Sequence, residues 1–248
     1  MGRENWHTGL FDELGKYWAE IADSRATDKE AELIGKVLKT EGLLLDLCCG
    51  TARHSLILAG KGWNIVGLDI SSRLLRVARE KMKGKHVFPL VRGDMQHLPF
   101  RGNTFSTVIS MFTSFGYLPS EAEDIASLKE TARALDHDGR FLVDIANREH
   151  VFRVFQKKDW GEFPSFYMLE KRTLDAKASK LHSRWTILDK EEGRVRAFNH
   201  DLRLYTLPQL RRMLRKAGLQ VEKVYGDYDQ QVLQQKSTRL IILAKRRQ

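Results

Sequence analysis

Residues 43–54 read Leu43-Leu44-Leu45-Asp46-Leu47-Cys48-Cys49-Gly50-Thr51-Ala52-Arg53-His54. The nearly unbroken apolar run over 43–48 predicts a strand buried on both faces, as in a parallel sheet. It runs into Gly50, where the backbone can approach a ligand closely, and a short helix over 52–59 follows at once. The N-terminus of such a helix offers free amides and positive potential to an anionic group. A dinucleotide, a phosphate or a carboxylate would all suit that arrangement. The dinucleotide fingerprint Gly-x-Gly-x-x-Gly is not met by Gly50-Thr51-Ala52-Arg53-His54-Ser55, and the Gly-Lys-Ser/Thr of a phosphate loop is missing too.

Outward from this stretch, six more segments read as core strands: 64–69, 87–91, 105–111, 140–145, 220–226 and 238–245. Helical patterns separate most of them. Ala31, Ile34, Val37 and Leu38 form a stripe over 27–39, and Ile125, Leu128, Ala132 and Leu135 form another over 120–135. Ser120 with Glu123 and Thr206 with Gln209 offer capping boxes, and Gly218 stops the second of these helices. Helices alternating with buried strands predict a doubly wound α/β sheet. The rhythm breaks between 148 and 206, where 163–174, 181–189 and 194–205 alternate like antiparallel strands, with a hairpin connection at Asp189-Lys190-Glu191-Glu192-Gly193. This divides the chain into 1–147, with N-terminal lid helices and a binding core; 148–206, an inserted cap; and 207–248, which completes the core sheet. An insertion there would overhang the carboxyl ends of the parallel strands, where such sheets bind ligands.

Two further carboxylates fall at strand ends. Asp69, nineteen residues past Gly50, can accept from both hydroxyls of a ribose. Asp94 in Arg92-Gly93-Asp94-Met95 can meet an adenine amino group, with Met95 packed on the ring. With these in place, Leu43–His54 resembles motif I of the class I S-adenosylmethionine (SAM)-dependent methyltransferases, in the branch reading Asp-Leu-x-Cys-Gly-Thr-Gly-Arg-His. Gly67-Leu68-Asp69-Ile70-Ser71 is similar to their second-strand motif, and Gly93-Asp94-Met95 with Leu98-Pro99-Phe100 to the third. Phe105–Met111 running into Phe112-Thr113-Ser114-Phe115-Gly116-Tyr117 is similar to the fourth. Leu135-Asp136-His137-Asp138-Gly139-Arg140-Phe141 resembles the turn into strand five. The ordered set covers roughly residues 40–147. The inserted segment, with Leu204-Tyr205-Thr206 and Gly226-Asp227-Tyr228, resembles a small-molecule-type subset that carries an antiparallel cap.

The resemblance implies an α/β, doubly wound, mostly parallel seven-stranded sheet of order 3-2-1-4-5-7-6, with SAM as methyl donor. It implies a donor site of Asp46, Cys48, Gly50, Thr51, Asp69, Ile70, Asp94 and Met95, with Met111 ending strand four beside the donor or in the core. An N-terminal lid would close one aromatic, Tyr17 or Trp18, over the donor. Ala52 departs from the family's third glycine. Its methyl group suits a helical first turn but not a positive φ, and the expectation is a slightly tightened pocket. Transfer from a sulfonium asks mainly for alignment, so no universal catalytic residue is implied. Acceptor-side candidates are Tyr117, Asn147, His200, Asp201 and Arg203. Parity places His200 and Arg203 on opposite faces of their strand. Arg203 reads either as a holder of a substrate carboxylate or phosphate or as a salt-bridge partner. His200 reads as a general base, and His54 as a packed structural histidine.

Composition bounds these readings. The hydrophobic fraction of 42% and charged fraction of 30% fit a globular chain. Apolar runs of about five residues are far too short to cross a membrane. The start Met-Gly-Arg-Glu-Asn-Trp carries no hydrophobic leader, so a cytoplasmic protein is expected. Cys48 and Cys49 are adjacent, which suits neither a bridge nor a zinc site, so no metal is expected. The net charge of +10 reads as a solvated basic surface or as attraction to an anionic partner, RNA included. Met111-Phe112-Thr113-Ser114 lacks the Asn/Asp-Pro-Pro-aromatic signature of enzymes that methylate exocyclic base nitrogens. A small-molecule acceptor, anionic or neutral, is therefore favoured over RNA or protein. A non-catalytic SAM-binding protein stands as the alternative from another class. Monomer and homodimer are both left open.

Overall fold

Strand β1 (Leu43–Leu47) is covered on both sides, as its apolar run demands. Leu44 joins Leu58, Trp63 and Ile65 in one apolar cluster, and Leu45 and Leu47 join Val66, Leu68 and Phe105 in another. The computed structural model describes residues 6–23 and 27–247. Met1 to Asn5, part of the stretch read for a leader, lie outside the described residues. Helices α1 (Trp6–Asp23) and α2 (Thr27–Val37) precede β1. Then come α3 (Arg53–Gly60), β2 (Asn64–Asp69), α4 (Ser72–Met82), β3 (Leu90–Arg92), β4 (Phe105–Ser110), α5 (Glu121–Ala134) and β5 (Leu135–Ala146). A short α6 (Arg148–Arg153) leads to β6 (Lys158–Glu162), β7 (Phe166–Asp175), β8 (Lys180–Asp189) and β9 (Val195–Arg203). The chain ends with α7 (Leu207–Lys216), β10 (Leu219–Tyr225) and β11 (Arg239–Arg246).

The main sheet runs β3-β2-β1-β4-β5-β11-β10, with β1 to β5 parallel and the last two strands antiparallel to their neighbours. Counted over core strands alone, this is the expected order 3-2-1-4-5-7-6. Helices cover both faces. Residues of α2, α3 and α4 share one cluster, and those of α5 and α7 share the other. The chain winds outward in opposite directions from β1 and β4, which opens a crevice at their carboxyl ends.

Several boundaries differ from the sequence expectation for physical reasons. β3 starts at Leu90 because Pro89 has no N–H to give, though its carbonyl accepts from Gly67 N at 2.9 Å. β5 begins at Leu135 rather than 140, so the residues read as a turn are already extended. The Thr206–Gln209 box is complete. Ser120 Oγ accepts from Glu123 N at 3.2 Å but donates to Glu123 Oε2 at 2.7 Å, in place of the reciprocal backbone bond.

Strands β6 to β9 form a separate antiparallel sheet. Its inward residues Phe166, Ile187 and Phe198 pack with Leu10, Leu14, Tyr17 and Ile21 of α1. Helix α1 is broken at Gly15, whose φ of 37° and ψ of −107° are non-helical. Ahead of the break, Asp12 Oδ1 accepts from Ser71 Oγ at 2.7 Å and Arg73 N at 3.1 Å at the start of α4. Beyond it, Lys16 Nζ and Tyr17 OH reach Asp189 of the cap sheet at 2.8 and 2.7 Å.

Candidate functional site

The loop between β1 and α3 alternates its handedness. Cys48, Gly50 and Ala52 have φ of 62°, 56° and 57°, so two side-chain-bearing residues occupy left-handed backbone. Each carries a Cβ where glycine is at ease, at a cost of about 1–2 kcal/mol. The loop is held by Cys49 N donating to Leu68 O at 2.9 Å and Gly50 N to Asp69 Oδ2 at 2.8 Å. The Cys49 sulfur packs over Gly67, where an added Cβ would lie 3.0 Å from it and 2.8 Å from Leu90 Cδ2. Burial pushes both thiols well above their ordinary range, and the nearby carboxylates add to it. Neither sulfur is therefore poised as a nucleophile.

The expected pocket-tightening by Ala52 is corrected. Its methyl group is fully buried in the apolar cluster around α3 and does not line the cavities beside the loop. Replacing Ala52 by glycine relieves about 1 kcal/mol of backbone strain and removes a buried methyl worth about 0.8 kcal/mol. Urea unfolding of the Ala52→Gly variant should thus shift stability by less than about 1 kcal/mol.

Two cavities meet at this loop, and Trp18, Cys48, Gly50, Phe112 and Ser114 line both. The larger, about 680 Å³ of open space, is mostly apolar. It reaches Asp69, Ile70, Asp94 and Met95 on one side and Phe11, Tyr117 and Leu118 on the other. Asp69 also accepts from Ser71 N at 2.8 Å. Burial raises its carboxyl to about 6 against the lowering of these two amide bonds. Asp94 Oδ1 accepts from Gln96 N at 2.8 Å.

The smaller cavity is polar and includes Asp46, Thr51, Arg53, His54 and Met111. Asp46 is buried, accepts from Ser55 Oγ at 2.6 Å, and has its carboxyl raised by that burial. Glu30 of α2 is shared by Arg53 Nη1 and by His54 Nε2, the latter at 2.6 Å. Burial would raise the Glu30 carboxyl, but the His54 bond and the charges of His54 and Arg53 bring it down to about 2. Thr51 Oγ1 and Arg53 Nη2 are buried without a hydrogen-bond partner. Two unspent donors beside a helix N-terminus are what a carboxylate needs. The sequence named Thr51 but not Arg53, although Arg53 stands inside the quoted motif.

A second strained loop closes the site. Phe112 and Thr113 follow β4 with φ of 58° and 63°, and Asp144 of β5 holds them there. Phe112 N donates to Asp144 Oδ2 and Thr113 N to Asp144 O, both at 2.9 Å. Arg239 Nε at 2.8 Å and Tyr228 OH at 3.0 Å complete the buried carboxylate's partners. Arg239 Nη2 also donates to Thr113 Oγ1 at 3.0 Å. The Phe112 ring lies 5.1 Å from the Arg53 guanidinium and 5.7 Å from that of Arg239. None of this was anticipated from the sequence.

Other expectations are corrected. Tyr17 does not reach the cavities; its ring packs on Phe166 and its hydroxyl on Asp189. Its neighbour Trp18 is the aromatic that lines both, and it stacks on Trp185 of the cap at 6.0 Å and 15°. Arg203 is not a substrate holder here. Its guanidinium donates to Asp124 Oδ2 at 2.7 Å and to the carbonyls of Leu118 and Pro119 at 3.2 and 2.9 Å. With Arg203 N donating to Gly116 O at 2.9 Å, it clamps the loop that carries Tyr117. Asn147 caps α6 and bonds Ser237 O, and Asp201 pairs with exposed His182 at 2.6 Å. Tyr117 is buried at the cavity wall, and burial pushes its phenol up to about 12. His200 lies on the inner face of the cap, 6.0 Å from the Tyr117 ring, with its imidazole lowered by burial to about 4.

Comparisons with known proteins bear on the fold that carries this site. Residues 44–139 match the family described as a methyltransferase domain. The Bacillus subtilis protein YqeM is 23% identical over 240 residues, covering 96% of this chain and 97% of its own length. An S-adenosylmethionine-dependent methyltransferase from Clostridium acetobutylicum shares the fold with a TM-score of 0.80 at 18% identity, over 98% of this chain and 99% of that one. SAM-bound CalS10, an amino pentose methyltransferase from Micromonospora echinaspora, superposes with a TM-score of 0.68 at 21% identity, over 93% and 96% of the two chains.

Proposed function

We propose that the chain, whose residues 44–139 match a methyltransferase domain on a shared methyltransferase fold, is a class I S-adenosylmethionine-dependent methyltransferase that methylates a small-molecule acceptor beneath the antiparallel cap. When bound, SAM supplies a methyl group on a sulfonium, open to in-line displacement by the acceptor's nucleophile. Asp69 takes the ribose hydroxyls, while Ile70, Asp94 and Met95 take the adenine. The methionine end is assigned to Asp46, Cys48, Gly50, Thr51 and Met111, with Arg53 Nη2 and Thr51 Oγ1 on its carboxylate. Tyr117 and His200 face the acceptor side, where a neutral imidazole can accept a hydrogen bond from the incoming nucleophile. Trp18 shields the reacting centre from water.

The observation that carries this reading is the continuity of the site. The polar cavity with two unspent donors opens past Trp18 and Phe112 into an apolar cavity that ends at Tyr117, under the cap. Calorimetry with S-adenosylhomocysteine tests the donor side. Incubation with methyl-labelled SAM and separate small-molecule, total RNA and protein fractions tests the acceptor side. Label is expected in the small-molecule fraction; label confined to RNA or protein would overturn the proposal.

A pH dependence follows from Asp69. The carboxylate is the form that accepts both ribose hydroxyls, and its raised value near 6 puts the loss of that form below neutrality. SAM affinity should be level between pH 7 and 8 and fall about tenfold per unit well below pH 6. Titrations across that range that show a flat Kd would contradict the assignment.

A further inference from the structure

Among the described residues, seven buried side-chain polar atoms have no hydrogen-bond partner. Thr51 and Arg53 account for two, at the donor cavity, and Asp124 for one, at the Arg203 clamp. The other four are Arg172 Nε, Ser183 Oγ, Trp185 Nε1 and His200 Nδ1, all on the cap sheet. The strand register brings them together. Arg172 of β7 pairs with Ser183 of β8, and Ser183 pairs with His200 of β9, so the three form one row across the sheet. Trp185 stands two residues from Ser183, on the same face. Ser183 is 4% exposed and His200 7%. Trp185 packs edge-on against His200 at 4.5 Å and stacks on Trp18, which lines the donor cavity. Buried polar groups are normally paired, and a cluster of four that are not calls for a ligand to pair them.

We propose that this row is the acceptor subsite, and that it takes an uncharged polyhydroxylated molecule, a sugar or sugar-like ring. The inference rests on the small-molecule reading above and names its substrate class. Arg172 Nε–H and Trp185 Nε1–H can only donate, while the Ser183 hydroxyl and a neutral imidazole can each donate or accept. Hydroxyl groups answer all four. Charge argues against an anion. The Arg172 guanidinium is already met by Asp159 at 3.0 Å and Glu170 at 3.7 Å, two carboxylates on one cation. A further carboxylate or phosphate would meet net negative charge. His200 adds no positive charge at neutral pH, since burial holds it near 4. The indoles of Trp18 and Trp185 and the ring of Tyr117 supply flat apolar walls for the C–H faces of a ring.

Saturation-transfer NMR on the full chain with S-adenosylhomocysteine tests this, using methyl glycopyranosides as uncharged probes and glucuronate and glucose 6-phosphate as anionic ones. Transfer to the glycosides is expected, with little to the anions. Ser183→Ala and Trp185→Phe should each cut glycoside transfer severalfold. Both should raise the melting temperature of the unliganded chain by a degree or more, because each removes an unpaired buried group. A purely structural role for these side chains would lower binding and stability together. Anion preference, absent glycoside transfer, or variants that bind like the parent would overturn the subsite. S-adenosylhomocysteine binding on the same samples separates the two levels: if it persists, only the subsite fails, and if it is absent, the donor assignment fails as well.

Discussion

Replacing Asp144 with alanine is expected to destabilise the protein by about 3–5 kcal/mol, because it leaves a buried guanidinium without its partner. The Asp144 side chain is fully buried and that of Arg239 is 14% exposed, so water cannot compensate. The same substitution removes the acceptor that holds Phe112 N, along with the partner of Tyr228. Two consecutive left-handed residues, at about 1–3 kcal/mol each, would then relax. Phe112 borders both cavities, so SAM affinity should fall with stability. Paired substitution separates the two effects. Asp144→Leu with Arg239→Met should recover much of the stability, since well-packed apolar pairs often match a buried ion pair. Without the charges to position Phe112, SAM affinity should stay low. Urea unfolding and calorimetry on the three proteins decide it, and an Asp144→Ala variant with the parent's unfolding midpoint would refute the account.

Asp69→Asn should raise the Kd for SAM about 100- to 1000-fold. A carboxylate taking two ribose hydroxyls contributes about 1.5–3 kcal/mol per charge-assisted bond. The amide is isosteric but turns a donor toward one of the two backbone N–H groups, Gly50 N or Ser71 N, that Asp69 now satisfies. The loss should appear in the binding enthalpy and leave the far-UV spectrum of the folded chain unchanged. A Kd within threefold of the parent would remove Asp69 from the ribose. Together with the decline of affinity below pH 6, this variant tests a single carboxylate in two independent ways.

The core sheet was legible because β1 and β2 are short apolar runs closed by glycine or aspartate, which leaves one register and one burial mode. The antiparallel insert was legible through alternation in β7 to β9, yet β6 was missed. Lys158-Asp159-Trp160-Gly161-Glu162 has charge on both faces, and only its pairing to β7 makes it a strand. The donor loop could be found because its chemistry is local. Arg203 and Asp144 could not be assigned because their partners lie far off in sequence, Asp124 at 79 residues and Arg239 at 95. Tyr17 and Trp18 differ by one helical step, about 100°. The break at Gly15 resets the phase ahead of them, so periodicity alone cannot say which ring meets the cavity.

That broken glycine also sits where the core and the cap are tied together. Helix α1 bonds α4 on both sides of the break, through Asp12 to Ser71 and through Asp23 to Lys81, and it bonds the cap through Lys16 and Tyr17. Leu10 and Leu14 before the break and Tyr17 and Ile21 beyond it pack in one cluster with Phe166, Ile187 and Phe198 of the cap. The helix is thus a splint with its bend at Gly15, and the bend sets where Trp18 meets both the donor cavity and Trp185 of the roof.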